Sequence, residues 1–420
     1  MIEYIILALF LGILAGTFTG LIPGIHINLI TVILLGLSAT LLSITTPLIL
    51  VIFIVSMSIT HTFIDYIPSI FLGAPDEDSF LSILPGHQLL LKGRAYPAVI
   101  LTLYGSLTAL LIILIFTPLF LYILPKVYPF LSQIIWVILL IVSLYIILDE
   151  GGLSKKGFIL NYNKKLWALI IFILAGFLGI TTLNLNISQP LLPLLTGLFG
   201  ASSIILSIKH KTKVPKQKII PLKEIRLNKK SAIKATIGSI IASPFTAFLP
   251  GLGASTAAVI GKSATRIKDQ REFLFLLGAI NTIVMGLSFI TLYAVGKTRT
   301  GAAIAVSQLI PELTHINLIY IIAVILFSGI IAAVITILLS KLIAKNIHRF
   351  NYAKISLVVL GILFFLVFLL SDMLNLIGGL IGLIVFITAT ALGLFAIQLG
   401  IKRIHLMGCL IIPIILFYLL

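Results

Sequence analysis

A seven-residue pattern occurs once in each half of this chain. The copies are Phe18-Thr19-Gly20-Leu21-Ile22-Pro23-Gly24 and Phe245-Thr246-Ala247-Phe248-Leu249-Pro250-Gly251, 227 residues apart in a chain of 420. Both lie in long apolar stretches. Proline removes a backbone donor, and lipid offers the freed carbonyl no partner. Each Pro-Gly pair is therefore expected at the tip of a re-entrant hairpin or a discontinuous helix, buried in protein or lining a wet cavity. Kinked full-length spans are the alternative. Matching breaks in two halves point to the central site of a carrier built from inverted repeats.

The composition agrees. The chain is 60% hydrophobic and 10% charged, against about 25% charged for an ordinary soluble domain. This excludes a soluble enzyme and predicts an all-α, multi-pass protein of the cell membrane. At ~20 residues per span the length allows about ten to fourteen membrane segments. Met1-Ile2-Glu3 has no basic stretch before the first apolar run, so the first helix is expected to be retained. The single cysteine, Cys409, cannot form an internal disulfide.

The net charge of +17 is clustered. Lys155, Lys156, Lys164 and Lys165 share one loop, ten Lys/Arg lie between Lys209 and Lys234, and Lys341, Lys345, Arg349 and Lys354 form a third group. These read as cytoplasmic loops that touch anionic lipid headgroups. No basic domain with interleaved aromatics is present, so nucleic acid is not an expected partner. The charge places Asn184–Pro190 outside and the polar stretch from 208 inside. The expected organisation is a first membrane repeat at 1–207, a basic cytoplasmic linker at 208–232 and a second repeat at 233–420, inverted relative to the first. Each half repeats one order: a break at Pro-Gly, an apolar helix (about 47–64, then 273–295), a second polar break, and a long helix (97–123, then 317–340).

The breaks carry the candidate site residues. Around the first stand Thr19, Pro23, Gly24, His26 and Asn28; around the second, Thr246, Pro250, Gly251, Gly253, Ser255 and Thr256. Glycine admits close approach of a ligand or backbone. Asn28, Ser255 and Thr256 suit the caps of the returning arms, whose N-termini would attract an anion. His26 can couple protons or simply bond a neighbour. The second breaks differ in sign: Gly73-Ala74-Pro75-Asp76-Glu77-Asp78 against Gly296-Lys297-Thr298-Arg299-Thr300-Gly301. Lys297 and Arg299 can clamp a carboxylate or phosphate. Asp76, Glu77 and Asp78 can hold Na⁺ or H⁺. Asp65 is a further coupling candidate, unless it snorkels to an interface. The plain alternative is that both charged loops sit at the membrane surface. No Cys/His metal spacing, dinucleotide fingerprint or phosphate-loop motif occurs, so no cofactor or metal is expected.

Several of these motifs, in this order, resemble the TctA-type permease of tripartite tricarboxylate transporters, especially its archaeal branch. They are the Pro23-Gly24 break, Gly73-Ala74-Pro75-Asp76, Leu84-Pro85-Gly86-His87, Lys92-Gly93-Arg94-Ala95, Pro193-Leu194-Leu195-Thr196-Gly197-Leu198-Phe199-Gly200 and Leu249-Pro250-Gly251-Leu252-Gly253-Ala254. The likeness runs from about residue 10 to 310. It implies a secondary carrier for carboxylates, served by a small membrane subunit and an external binding protein, with Pro23, Gly24, Gly73, Pro75, Pro250, Gly251 and Gly253 forming the site. The chain departs from the bacterial pattern at Gly278-Ala279-Ile280-Asn281 and at Gly296–Gly301.

Three functions compete. The first is secondary transport of a small organic anion by alternating access with Na⁺ or H⁺. The second is translocation of a polyprenyl-phosphate lipid carrier, whose single headgroup suits the Lys297/Arg299 loop. The third is a non-transporting scaffold or an intramembrane enzyme. A homodimer is compatible with each.

Overall fold

The structure is a computed structural model. It describes every residue except Met1, 23–26, 37, 74–82, 151–157, 210–213, 249–252, 299, 350–351, 373–374 and Leu420. Among the described residues all regular structure is helical. In chain order the helices are α1 (Ile2–Leu21), α2 (Ile27–Gly36), α3 (Ser38–Leu42), α4 (Pro47–Ile64), α5 (Tyr66–Leu72), α6 (Ile83–Leu91), α7 (Ala95–Gln133), α8 (Ile135–Leu148), α9 (Phe158–Leu183) and α10 (Leu191–Leu195). There follow α11 (Ser202–Lys209), α12 (Lys229–Phe248), α13 (Ala254–Ala264), α14 (Gln270–Val295), α15 (Gly301–Leu309), α16 (His315–Asn346), α17 (Tyr352–Leu370), α18 (Leu376–Gln398) and α19 (Gly408–Leu419).

Eight helical spans are long and apolar enough to cross a membrane, among the described residues. Length alone allows ten to fourteen. The difference is chain spent on short arms: α2, α6, α13 and α15 have 10, 9, 11 and 9 residues. At 1.5 Å per residue these cover about half of a ~30 Å hydrocarbon core. By contrast α7, with 39 residues, is far longer than the core is thick. Large apolar side chains stand exposed on α1, α7, α16 and α17, among them Leu14, Ile115, Phe327 and Phe365. Lipid is the solvent that suits such faces.

The chain forms two compact units, and each draws on both halves of the sequence. The first comprises Met1–Tyr128, Lys213–Leu249 and Gly253–Tyr352. In it the element order of residues 2–133 recurs in 229–346. α1 and α12 have 20 residues each, and Pro47–Leu72 and Gln270–Val295 have 26 each. Left-handed glycines close the matching helices, Gly73 at φ 65° and Gly296 at φ 66°.

Small residues set the spacing in this unit. Gly12, Gly16 and Gly20 recur every fourth residue on α1, so they share one helical face. That face lies against α4, at Phe53 and Ser56, at Met57 and Thr60, and at Ile64. Without aliphatic bulk the backbones come close enough for dispersion to hold them where lipid removes the hydrophobic drive. The long helices then cross between halves. Gly105 of α7 meets the backbone of Phe275 and Ala279 on α14, Gly278 meets Thr102, and Ser106 Oγ donates to the Gly278 carbonyl at 3.1 Å. Reciprocally, α16 packs on α4, where Thr336 Oγ1 donates to the Phe63 carbonyl at 3.4 Å. The result encloses α14: every residue from Leu274 to Leu292 is buried.

The segment before α12 is stitched to the α6–α7 turn. That turn needs Gly93 at φ +72°. Gln217 Oε1 accepts from the Ala95 amide at 2.9 Å, Gln217 Nε2 donates to the Leu90 carbonyl at 3.1 Å, and the Lys218 amide donates to the Gly93 carbonyl at 2.8 Å. A buried side chain from 122 residues away thus satisfies an orphan amide at the start of α7. Gln217→Ala is expected to cost about 1–3 kcal/mol by stranding that amide. Trypsin should then cut the basic segment between Lys213 and Lys223 faster; an unchanged cleavage rate would refute the stitch.

The second unit comprises Pro129–Thr212 and Ala353–Leu420, with 250–252 counted there. Here too glycines mark the crossings: Gly179 meets the Cys409 backbone, Gly408 meets Phe172, Gly197 meets Phe386, and Gly393 meets Leu198. A π-helical turn, Thr196–Ala201, links α10 to α11. Its displaced carbonyls are taken up by Arg403. The guanidinium donates to the Leu198 carbonyl at 3.1 Å, to Ser202 Oγ at 3.1 Å, to Ser203 Oγ at 2.5 Å, and to the Phe199 carbonyl. Two residues on, His405 Nε2 lies 2.8 Å from Glu150 Oε2, with both side chains buried. Ser188 Oγ, in the Asn184–Pro190 turn, donates to Asp372 Oδ1 at 2.6 Å.

Candidate functional site

A helix enclosed in lipid and protein can carry polar groups only if they face one another. α4 has five in close succession: Ser56, Ser58, Thr60, His61 and Thr62, all buried. Asp65 follows at the junction with α5 and is only 3% exposed. The junction falls there because Pro68 has no amide to bond the Ile64 carbonyl. The Asp65 amide still donates to the His61 carbonyl at 3.0 Å, so the helical path continues through the break. His61 and Asp65, four apart, therefore share one face.

α14 supplies the opposing groups. Asn281 Nδ2 donates to Asp65 Oδ2 at 2.9 Å, and Thr62 Oγ1 lies 3.2 Å from Thr282 Oγ1. On the α1 side, His61 Nδ1 lies 3.0 Å from Thr19 Oγ1. Thr19, His61, Thr62, Asp65, Asn281 and Thr282 thus form one buried polar seam where α1, α4 and α14 meet. Its members come from both halves of the chain.

α12 and α13, the helices before and after residues 249–252, both pack on α14. Thr246 is buried in the last turn of α12, and its hydroxyl donates to the Ser243 carbonyl at 3.0 Å. Beyond the break, α13 begins at Ala254 with Gly253 in the cap position, extended at φ −71° and ψ 168°. Ser255 and Thr256 stand inside the first turn and do not cap it, which corrects the capping role expected for them. Glycine at this position supplies no capping side chain of its own. The hydroxyls of Ser243 and Thr256 are buried with no hydrogen-bond partner among the described residues. Asn28 stands in the first turn of α2, which begins at Ile27.

The basic loop doubles back along α14. Thr298 Oγ1 donates to the Ser288 carbonyl at 3.1 Å and Thr300 Oγ1 to Ser288 Oγ at 2.8 Å. Ser288 lies seven residues before the helix end, so the loop returns by roughly 10 Å. Thr300 then caps α15 through the Ala303 amide, and α15 packs on α2 and α4. The second break of one half so meets the returning arm of the other. Lys297 is exposed.

Of the residues singled out from sequence, the structure brings Thr19 and Asp65 into the seam. Asp65 is buried and does not snorkel. Thr246, Gly253, Ser255 and Thr256 flank the second break. Pro23, Gly24, His26, Asp76, Glu77, Asp78, Pro250, Gly251 and Arg299 lie outside the described residues, as does the side chain of Asn28. Sequence reasoning passed over His61, Thr62, Asn281 and Thr282. Their signal was a run of polar residues inside an otherwise aliphatic helix, opposed by an Asn-Thr pair in the matching helix.

The model of the tripartite tricarboxylate transporter TctA family matches residues 6–408. The chain belongs to this family. It is a multi-pass membrane permease. It is also similar to an archaeal protein, the uncharacterized MJ1079 of Methanocaldococcus jannaschii, with 30% identity across 99% of both chains. No solved structure matches.

Proposed function

We propose that this permease is a secondary carrier of a small organic anion, a carboxylate, working by alternating access with Na⁺ or H⁺. The observation that carries this reading is the Asp65–Asn281 contact: an ionisable group enclosed at the crossing of two membrane helices, one from each half. Such a group is functional by default, because burying it without a role is costly. The recurring element order and the reciprocal crossings, α7 on α14 and α16 on α4, support two repeats related by a pseudo-two-fold in the membrane plane. The buried Ser243 and Thr256 hydroxyls, at the end of α12 and the start of α13, support an anion at the second Pro-Gly break, where the positive end of α13 would also attract it. Pro23, Gly24, His26 and Asn28 would supply the other wall, and Asp76, Glu77 and Asp78 remain coupling candidates beside Asp65. Family membership supports a small membrane subunit and an external binding protein as partners.

Counterflow in proteoliposomes tests the reading. Vesicles loaded with unlabelled citrate, succinate or lactate should take up the same labelled carboxylate with saturable kinetics. Absence of exchange for every anion, inorganic phosphate included, would sink it. The exposed Lys297 favours a second reading, in which a phosphate headgroup reaches the site sideways from lipid. Flipping of a labelled polyprenyl phosphate without carboxylate exchange would establish that alternative.

A further inference from the structure

We infer that the cavity beneath the chain segment leading into α12 seats the headgroup of an anionic phospholipid from the cytoplasmic leaflet. The site stands apart from the polar seam and does not depend on the carrier reading.

The cavity follows from how residues 214–228 are held. Their one piece of regular structure is the 3₁₀ turn Leu222–Glu224. The segment is fastened by side chains instead. Gln217 ties it to the α6–α7 turn. Tyr104 Oη of α7 donates to the Leu222 carbonyl at 2.9 Å, and the Arg271 guanidinium of α14 donates to the Arg226 carbonyl at 2.7 Å. Asn228 Oδ1 then accepts from the Ser231 amide at 2.7 Å, capping α12. The arch so formed covers a cavity of about 390 Å³, within the usual range for small-molecule sites. α7, α12 and α14 contribute Tyr104, Ala232 and Phe275 to its lining, and the arch contributes Lys223 and Arg226.

The charge selects an anion. Lys223 and Arg226 are both exposed, and among the described residues neither is ion-paired. The nearby acid Glu272 is engaged elsewhere: it accepts from Ser231 Oγ and lies 3.8 Å from Lys234 Nζ. Glu224 does not line the cavity. A guanidinium grips two phosphate oxygens at once, and an ammonium adds a point charge beside it.

The level of the cavity in the membrane makes that anion a lipid. On α7 no large apolar side chain is exposed from Ala95 to Leu110; the exposed ones run from Leu111 to Phe130. That stretch rises by roughly 28 Å, close to the thickness of a hydrocarbon core. Tyr104 therefore stands about 10 Å outside the core, among headgroups. On α12 the exposed Ile233, Ile237 and Ile241 begin one residue after Ala232. They recur every fourth residue and form one lipid-facing stripe. A headgroup in the cavity can lay an acyl chain along this stripe, from which a soluble anion gains nothing. The cluster of Lys and Arg assigns this end to the cytoplasmic leaflet, whose surface carries anionic lipid.

Native mass spectrometry of the full chain, released from detergent micelles, tests the site. One phosphatidylglycerol should bind about tenfold or more tighter than phosphatidylcholine, since each basic residue near an anionic surface contributes about fivefold. Lys223→Gln and Arg226→Gln should each lose about fivefold, and the double variant the whole preference. Ala232→Leu keeps the charge but fills the cavity, and should lose the tight lipid as well. Lys341→Gln with Lys345→Gln, in a different basic cluster, should retain it. Equal affinity for the two lipids would overturn the proposal. So would a preference kept by the double variant or by Ala232→Leu, or one lost equally in the Lys341/Lys345 pair. If Ala232→Leu is not recovered folded, the variants of the two exposed cations decide. Displacement of phosphatidylglycerol by an equal concentration of inorganic phosphate would overturn the lipid as occupant in favour of a soluble anion.

Discussion

Arg403→Ala is expected to unfold the second compact unit or bring it close to unfolding. The guanidinium holds two carbonyls and two hydroxyls of the Thr196–Ser203 stretch together. A π-helical turn shifts its carbonyls away from their usual amide partners, and at membrane depth no water replaces them. Hydrogen bonds to a charged donor contribute about 1.5–3 kcal/mol each, so the loss of several should exceed the stability margin of most domains. Arg403→Lys should fall between, because an ammonium is a point charge and cannot span four acceptors in fixed directions. Thermal unfolding of the detergent-solubilised variants, followed by size-exclusion profile, reads the effect. A wild-type melting temperature in Arg403→Ala would show that the turn stands without its clamp.

The second large effect is expected at Gly278. A Cβ there would collide with the Thr102 carbonyl, and one at Gly105 would come within 2.7 Å of the Ala279 amide nitrogen. Both neighbours are backbone, so neither can rotate away. Gly278→Ala should cost about 1–3 kcal/mol by overpacking. Gly278→Leu should force α7 off α14, displace the Asn281 contact to Asp65 and abolish transport with little folded protein recovered. Gly361 of α17 has open space where a Cβ would stand, so Gly361→Ala serves as the control and should be neutral or slightly stabilising. Equal behaviour of the Gly278 and Gly361 variants would refute the close crossing.

Much of the helical framework was legible because apolar runs, prolines and glycines punctuate it. The expected helix at 47–64 matches α4, bounded by Pro47 at its start and the Pro68 defect beyond its end. Gly73 and Gly296 read as equivalent breaks, and both are left-handed helix ends. The long helix read as 97–123 runs from Ala95 to Gln133, through Pro118, Pro125 and Pro129. Proline is a strong stop in water, where the broken helix finds solvent partners; within a membrane unwinding would strand more groups than the proline does. The site was half legible. Asp65 stood out as a charge after an apolar run. Its partner Asn281 lies 216 residues away, and such pairing leaves no local trace. Hydroxyls on helices usually bond their own preceding turn, so Thr62 and Thr282 gave no sign that they meet. The grouping of segments into compact units was also hidden, because glycine spacing reveals a close-packing face without naming the helix that meets it.

The interlacing of the two halves has a consequence for biosynthesis. α4 carries polar groups, Thr62 and Asp65, whose partners Thr282 and Asn281 stand on α14, yet α14 begins more than 200 residues later in the chain. At about 5–20 residues per second, the ribosome needs on the order of ten to forty seconds to deliver it. During that interval Asp65 and its hydroxyl neighbours have left the translocon's water without their final partners. The first half must therefore wait in the membrane as an incomplete insertion intermediate, shielded by an insertase or held near the interface, until the second half arrives to close over it.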